Sequence, residues 1–137
     1  MDPANIPWGD TQVEVVLDCT GVFKDNSGLS KHIHSTVKKV ILSSPGTTDL
    51  MVVFGANEEL YDKTKHHIIS NASCTTNCLV PIAKVIDEAF GIEKGLMVMT
   101  HSYTMDQNLQ DNLHEDLRRA RGAALNNSNE NRGCVFC

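Results

Sequence analysis

The stretch SNASCTTNCLVPIAKVI, Ser70 to Ile86, joins a polar segment directly to an apolar helical pattern. From Cys78 onward, apolar residues recur at spacings of three and four, which is typical of an amphipathic helix. Gly91 is well placed to end this helix, and Pro81 fits near its first turns. We therefore predict a helix that begins between Ser73 and Cys78 and continues to Phe90.

This prediction places Cys74 at or just before a helix N-terminus. The unpaired amides and the helix dipole at such a position favour negative charge, which stabilises a nucleophilic thiolate. The same amides, with the hydroxyls of Ser73 and Thr75, are suited to bind phosphate or a developing oxyanion. The alternative is that Cys74 is simply a small buried residue. Cys78 lies on the same side of the helix, where we expect it in the core.

A histidine follows the next apolar run. Residues 95–100 (GLMVMT) are predicted to form a further strand, after which His101 would emerge near the sheet end that carries Cys74. A histidine beside a cysteine forms an ion pair or a base-nucleophile pair that activates the thiol. On its own, His101 would more simply be structural, so the prediction depends on the pair.

Upstream of the opening stretch, short apolar runs alternate with connecting segments. We predict strands at residues 13–17 (VEVVL), 39–42 (KVIL), 51–54 (MVVF) and 67–69, and a helix with a thin apolar face at residues 26–36. This order is typical of a parallel α/β sheet. Ligands of such sheets bind beyond the carboxyl ends of the strands, so we expect Thr20, Ser43 and residues 71–75 to face one crevice.

Composition narrows the function classes. The chain has 137 residues, of which 41% are hydrophobic and 21% charged, and a net charge of −5, which argues against a nucleic-acid-binding surface. We find neither an apolar run of transmembrane length nor a signal peptide at the N-terminus, and we expect a cytoplasmic protein that acts away from membranes. The five cysteines are an odd number, which favours reduced thiols over a disulfide framework.

Several strings in unbroken order together resemble one family. SNASCTTNCL, CTGVF, DPANIPW, THSYT and DLRRARGAALN are similar to the corresponding segments of phosphorylating glyceraldehyde-3-phosphate dehydrogenase, and the resemblance runs from Asp2 to about Asn126. It implies a glycolytic oxidation of a phosphorylated triose to an acyl phosphate with NAD as cofactor and inorganic phosphate as co-substrate. It also implies a homotetramer in the full-length form. Cys74 resembles the nucleophile and His101 the residue that activates it.

The resemblance also suggests roles for further residues. Ser73, Thr75 and Thr104 match hydroxyl residues that bind phosphate groups, and Arg119 resembles a phosphate-binding arginine. Hydroxyls and a guanidinium suit a phosphorylated substrate. Thr20 and Ser43 resemble residues beside the cofactor, although both are equally compatible with turn-capping hydroxyls. For Arg118 and Arg121 we favour a solvated surface or a subunit contact.

The resemblance implies a division into three segments. Residues 1–73 would be part of a dinucleotide-binding domain, 74–126 the start of an α+β catalytic domain, and 127–137 a divergent, disordered tail. We find no GxGxxG motif, and the choice between NAD and NADP stays open. Two alternatives also stay open: a non-catalytic remnant that at most binds phosphate or another subunit, and a relative that acts on erythrose 4-phosphate.

Metal binding is not expected. Cys134 and Cys137 have the spacing of half a zinc site or of a prenylation box, but a second cysteine pair and a preceding polybasic segment are both lacking. The histidine pairs are interpreted as surface or loop residues rather than ligands; they are His32 with His34 and His66 with His67.

Overall fold

The computed structural model describes residues 2–71, 73–105, 107–117 and 119–123. The chain divides into two compact units, Met1–Gly95 and Leu96–Cys137, and each is described by itself. The predicted domain boundaries at residues 73 and 126 stay a prediction, and the segment 127–137, with its two cysteines, lies outside the described residues.

The first unit contains a four-stranded sheet in which every pairing is parallel. Its strands are β1 (Val15–Asp18), β2 (Lys39–Leu42), β3 (Leu50–Met51) and β4 (Ile68–Ser70), in the spatial order β1-β2-β4-β3. The predicted parallel α/β sheet is therefore confirmed. The strand at residues 39–42 has the predicted bounds, and the other strands are displaced by one or two residues or shortened.

The shortening of β3 has a local cause. We predicted a strand to residue 54, but the Val53 N–H donates to Oδ1 of Asn57 at 2.8 Å, and the Asn57 amide donates to the Met51 carbonyl at 3.0 Å. Together with the Ala56 N–H, which donates to the Val53 carbonyl at 3.0 Å, these bonds close a turn directly after β3, so the chain leaves the sheet. The turn continues into a 3-10 segment at Glu58–Leu60.

The core lies on one face of the sheet. Alternate residues of β1, β2 and β4 point into it and are buried, and they pack against Leu29 and Val37. The opposite face is open at β1, where Leu17 is 62% exposed. The buried sheet residues of the core are Val16, Val40, Leu42 and Ile68.

The first helix is much shorter than predicted. We expected a helix over residues 26–36, whereas α1 spans Asn26–Leu29 and a 3-10 segment follows at Ser30–His32. Asp25 caps α1 by accepting a hydrogen bond from the Gly28 N–H at 2.8 Å. Ser35 has a φ of 56°, which is incompatible with a right-handed helix, so the predicted continuation to residue 36 is wrong.

The predicted long helix is confirmed as α2, Cys74–Phe90. Ser73 caps its N-terminus, and Gly91, with a φ of 73°, ends it as predicted. None of its residues is fully buried, and its exposed apolar residues include Val85 and Phe90. Cys78 is exposed, so its predicted place in the core is wrong, because in the first unit the apolar stripe of α2 is largely uncovered.

The second unit has neither helix nor strand among its described residues, and the strand predicted at residues 95–100 is not formed. A strand needs backbone hydrogen bonds to a neighbour, and a run of apolar residues alone does not supply them. Backbone bonds such as Asn112 N–H to the Ala120 carbonyl, at 2.9 Å, close turns instead. Across the described part of the chain, no helix has the length and apolar character needed to cross a membrane.

Candidate functional site

The carboxyl ends of the parallel strands place several predicted site residues along one edge of the first unit. The register sets Asp18 opposite Leu42, Leu42 opposite Ser70 and Ser70 opposite Met51, so these strands end level with one another. The segments that carry Thr20, Ser43 and Cys74 follow three of these strand ends. The register therefore supports the predicted common edge, which we call the carboxyl edge.

Thr20 lies in a tight turn directly after β1. Its N–H and its hydroxyl donate to Oδ1 of Asp18 at 2.9 and 2.7 Å, and its Oγ1 accepts from the Val22 N–H at 3.2 Å. Ser43 is joined to the same turn, because its N–H donates to the Asp18 carbonyl at 3.0 Å. The Thr20 side chain therefore stabilises the turn, in agreement with the interpretation of a turn-capping hydroxyl. Both Thr20 and Ser43 are exposed at the carboxyl edge.

The carboxylate of Asp18 is an organising group that the sequence analysis missed. Its side chain is fully buried, and Nε2 of His32 lies 3.4 Å from Oδ2. Burial alone would raise the pKa of Asp18, but the hydrogen bonds from the Thr20 side chain and backbone and the contact with His32 lower it below its usual value. Asp18 is therefore a buried anion that holds the turn of Thr20.

The interpretation of His32 as a surface or loop residue is wrong. The residue is 6% exposed, and its ring lies against Trp8, with centroids 5.9 Å apart, and edge-on to Phe23 at 6.2 Å. These partners are distant in sequence, so local spacing did not reveal them. A signal was available in Asp18, an acid that ends an apolar strand two residues before a threonine, as in an Asx turn.

Cys74 is the first residue of α2 and is exposed. The hydroxyl of Ser73 accepts from the Thr76 N–H at 3.1 Å and lies 2.9 Å from the Thr75 hydroxyl. The predicted helix N-terminus with adjacent hydroxyls is therefore present. Cys74 is exposed in the first unit, so it is not the small buried residue of the alternative interpretation. Cys19 and Cys78 are also exposed free thiols, so exposure alone does not distinguish Cys74 from them.

The remaining predicted site residues belong to the second unit. His101 is exposed, and its Nδ1 contacts the Ser102 carbonyl. Thr104 is exposed, and its N–H donates to Oε1 of Gln107 at 2.7 Å. Because Cys74 and His101 lie in separate units, their predicted pairing stays a prediction.

The two described arginines of the basic segment, residues 117–121, differ in environment. Arg119 is 8% exposed, and its Nε lies 3.7 Å from Oδ2 of Asp116, whereas Arg121 is exposed and pairs with Asp111 at 3.0 Å. A solvated surface position fits Arg121, while Arg118 lies outside the described residues. The role of Arg119 in phosphate binding stays a prediction. No group of three histidine, cysteine or acidic residues in the described part of the chain could hold a metal ion.

Comparison with known proteins identifies the family. A family model described as glyceraldehyde 3-phosphate dehydrogenase, C-terminal domain, matches residues 73–129, which include the Cys74 motif and the basic segment. The chain is 53% identical over 126 residues to glyceraldehyde-3-phosphate dehydrogenase 2 of Streptomyces avermitilis, covering 91% of this chain and 38% of that protein. The chain is thus similar to part of the glyceraldehyde-3-phosphate dehydrogenase sequence.

Two further relatives give the same result. Glyceraldehyde-3-phosphate dehydrogenase 1 of Bacillus cereus is 54% identical over 126 residues, covering 91% of this chain and 38% of the relative. The Mycobacterium tuberculosis enzyme is 56% identical over 125 residues, covering 90% and 37%. The chain thus spans less than two fifths of the length of these relatives. The resemblance found in the sequence is confirmed at the level of the family, whose members are oxidoreductases.

Proposed function

We propose that the chain contributes the nucleophilic cysteine of a glyceraldehyde-3-phosphate dehydrogenase, with Cys74 as the nucleophile. The observation that carries this proposal is the position of Cys74: exposed, first in α2, beside the hydroxyls of Ser73 and Thr75 and following a strand at the carboxyl edge. A helix N-terminus favours a thiolate, and the neighbouring hydroxyls suit anionic oxygen atoms.

In the proposed reaction, the Cys74 thiolate attacks the aldehyde carbon of glyceraldehyde 3-phosphate. A carbon–sulfur bond forms, and the carbonyl oxygen takes up a proton to give a hemithioacetal. His101 is proposed to accept that proton as the hydride on the same carbon leaves to its acceptor and the carbon–oxygen double bond re-forms, leaving a thioester on Cys74. An oxygen of inorganic phosphate then attacks the thioester carbon, the carbon–sulfur bond breaks, and the acyl phosphate leaves with Cys74 again a thiolate.

A nicotinamide dinucleotide, when bound, supplies the acceptor for the hydride that leaves the hemithioacetal carbon. The residues at the carboxyl edge fit such a group, because the exposed hydroxyl residues Thr20 and Ser43 follow adjacent strand ends in a parallel α/β sheet. Thr20 and Ser43 would hold it there. Thr104 and Arg119 are proposed to bind phosphate groups, and the full-length form is proposed to be a homotetramer.

Selective alkylation tests the proposal without requiring turnover. The chain is treated at pH 7 with limiting iodoacetamide, and the five cysteines are mapped by mass spectrometry. We expect Cys74 to be modified fastest, and glyceraldehyde 3-phosphate to protect it better than unphosphorylated glyceraldehyde does. A Cys74→Ser variant serves as the control and should lose the fast phase of alkylation. Faster modification of Cys19 or Cys78 would contradict the proposal.

A further inference from the structure

The segment between β4 and α2 is held by a side chain that lies beyond it in sequence. The side-chain amide of Asn77 donates to the Asn71 carbonyl at 2.7 Å and to the Ser73 carbonyl at 2.9 Å. The Asn77 backbone N–H also donates to the Ser73 carbonyl at 2.9 Å. Asn77, in the first turn of α2, is therefore hydrogen-bonded to the residues on both sides of the link that leads to Cys74.

Among the described contacts, the Ser73 hydroxyl does not reach β4. The Ser73 hydroxyl bonds within the first turn of α2, to the Thr76 N–H and the neighbouring threonine hydroxyls. Asn71 directly follows Ser70, a buried residue of β4 whose carbonyl accepts a hydrogen bond from the Val52 N–H at 2.8 Å. The bond from Asn77 to Asn71 therefore links the first turn of the helix to the carboxyl end of a central strand.

We propose that Asn77 is a positioning residue for the Cys74 thiol. The proposal rests on the proposed function, in which Cys74 is the nucleophile. Asn77 acts through the backbone: by holding the carbonyls of Asn71 and Ser73, it sets the direction in which the chain enters α2. Because Cys74 directly follows Ser73, this direction determines how its sulfur lies relative to the amides of the first turn. An aligned first turn keeps the favourable interaction between those amides and the thiolate.

The chain offers a matched control in Asn57. Its side chain also bridges two backbone groups after a strand of the same sheet, and both asparagines are half-buried. An alanine substitution at either position removes two side-chain hydrogen bonds to the backbone. A purely structural role for Asn77 predicts that Asn77→Ala and Asn57→Ala have the same effect on Cys74.

The test measures iodoacetamide alkylation rates of Cys74 and Cys78 in the parent chain, Asn77→Ala and Asn57→Ala. We expect Asn77→Ala to lower the ratio of the Cys74 rate to the Cys78 rate by about two- to fivefold, the range that helix-terminus interactions supply. Asn57→Ala should leave this ratio unchanged. An unchanged ratio in Asn77→Ala, or an equal fall in both variants, would overturn the proposal.

Two further outcomes separate this proposal from the proposed function. If Cys74 is not the fastest thiol of the parent chain, the proposed function fails, whereas the ratio between variants still tests positioning. If the alanine variant does not fold, Asn77→Ser replaces it. This variant keeps a short polar side chain but also loses the bond to Asn71. Failure of both variants to fold while Asn57→Ala folds would assign Asn77 to global stability and overturn the proposal.

Discussion

Removal of the Asp18 carboxylate should destabilise the first unit, and most of the loss should come from the contact with the buried His32. In Asp18→Ala, the N–H and hydroxyl of Thr20 lose their acceptor, but Thr20 is exposed and water replaces most of this bonding. His32 is buried, so its Nε2–H is left without a partner, at a cost of about 1–3 kcal/mol. With about 1 kcal/mol more for the Thr20 bonds, the expected loss is about 2–4 kcal/mol.

The amide variant Asp18→Asn tests the role of the charge. An ionised carboxylate only accepts hydrogen bonds, so His32 donates from Nε2, and its buried Nδ1 has no partner among the described residues. In Asp18→Asn the amide oxygen can remain with Thr20, which turns the NH2 group toward His32. The Nε2 atom must then accept, which leaves the N–H of the neutral ring on Nδ1, and the described residues offer no acceptor there. We therefore expect Asp18→Asn to lose stability as well.

Asp25 provides the control. Its carboxylate also accepts two short hydrogen bonds, from the Gly28 N–H at 2.8 Å and the Ser27 hydroxyl at 2.7 Å, but these bonds lie on the surface. Equilibrium unfolding in urea is followed by the fluorescence of Trp8, the only tryptophan, whose ring lies against His32. We expect Asp25→Ala to shift the midpoint less than Asp18→Ala. Equal shifts would refute the argument that the buried donor of His32 sets the cost.

Two further predictions concern pH and packing. Because the pKa of Asp18 is lowered in the fold, the unfolded chain binds more protons than the folded chain at acid pH. The stability that Asp18 contributes should be complete above the usual aspartate range, and it should fall as the pH drops through the folded pKa. Urea midpoints between pH 7 and 3 should therefore decline less in Asp18→Ala than in the parent, and parallel curves would contradict this. Gly46→Ala should cost on the order of 1–3 kcal/mol, because its Cβ would lie 2.6 Å from both the Lys24 carbonyl oxygen and a Leu42 methyl. Gly95→Ala, whose Cβ meets nothing within 4 Å, should leave the midpoint unchanged; equal effects of the two glycine variants would count against the packing argument.

Local patterns in the sequence were sufficient for the elements with strong periodicity or strong termination signals. The strand at residues 39–42 and the helix Cys74–Phe90 were predicted closely, because β-branched residues, an N-capping serine and a terminal glycine act over a few neighbours. The position of Cys74 at the start of α2 follows from the same local rules. Family membership was also evident from the sequence, since its motifs are specific.

Tertiary structure decided what depends on partners distant in the chain. His32 is buried because Trp8, Phe23 and Asp18 surround it. The predicted strand at residues 95–100 is not formed, because an apolar run does not supply a neighbouring strand. Cys78 is exposed because helical periodicity states which residues share a face, but not whether another element covers that face. The hydrogen bonds of Asn77 likewise depend on where the Asn71 and Ser73 carbonyls lie in the folded chain. Sequence determines these local preferences, whereas burial and hydrogen-bond partners are properties of the assembled chain.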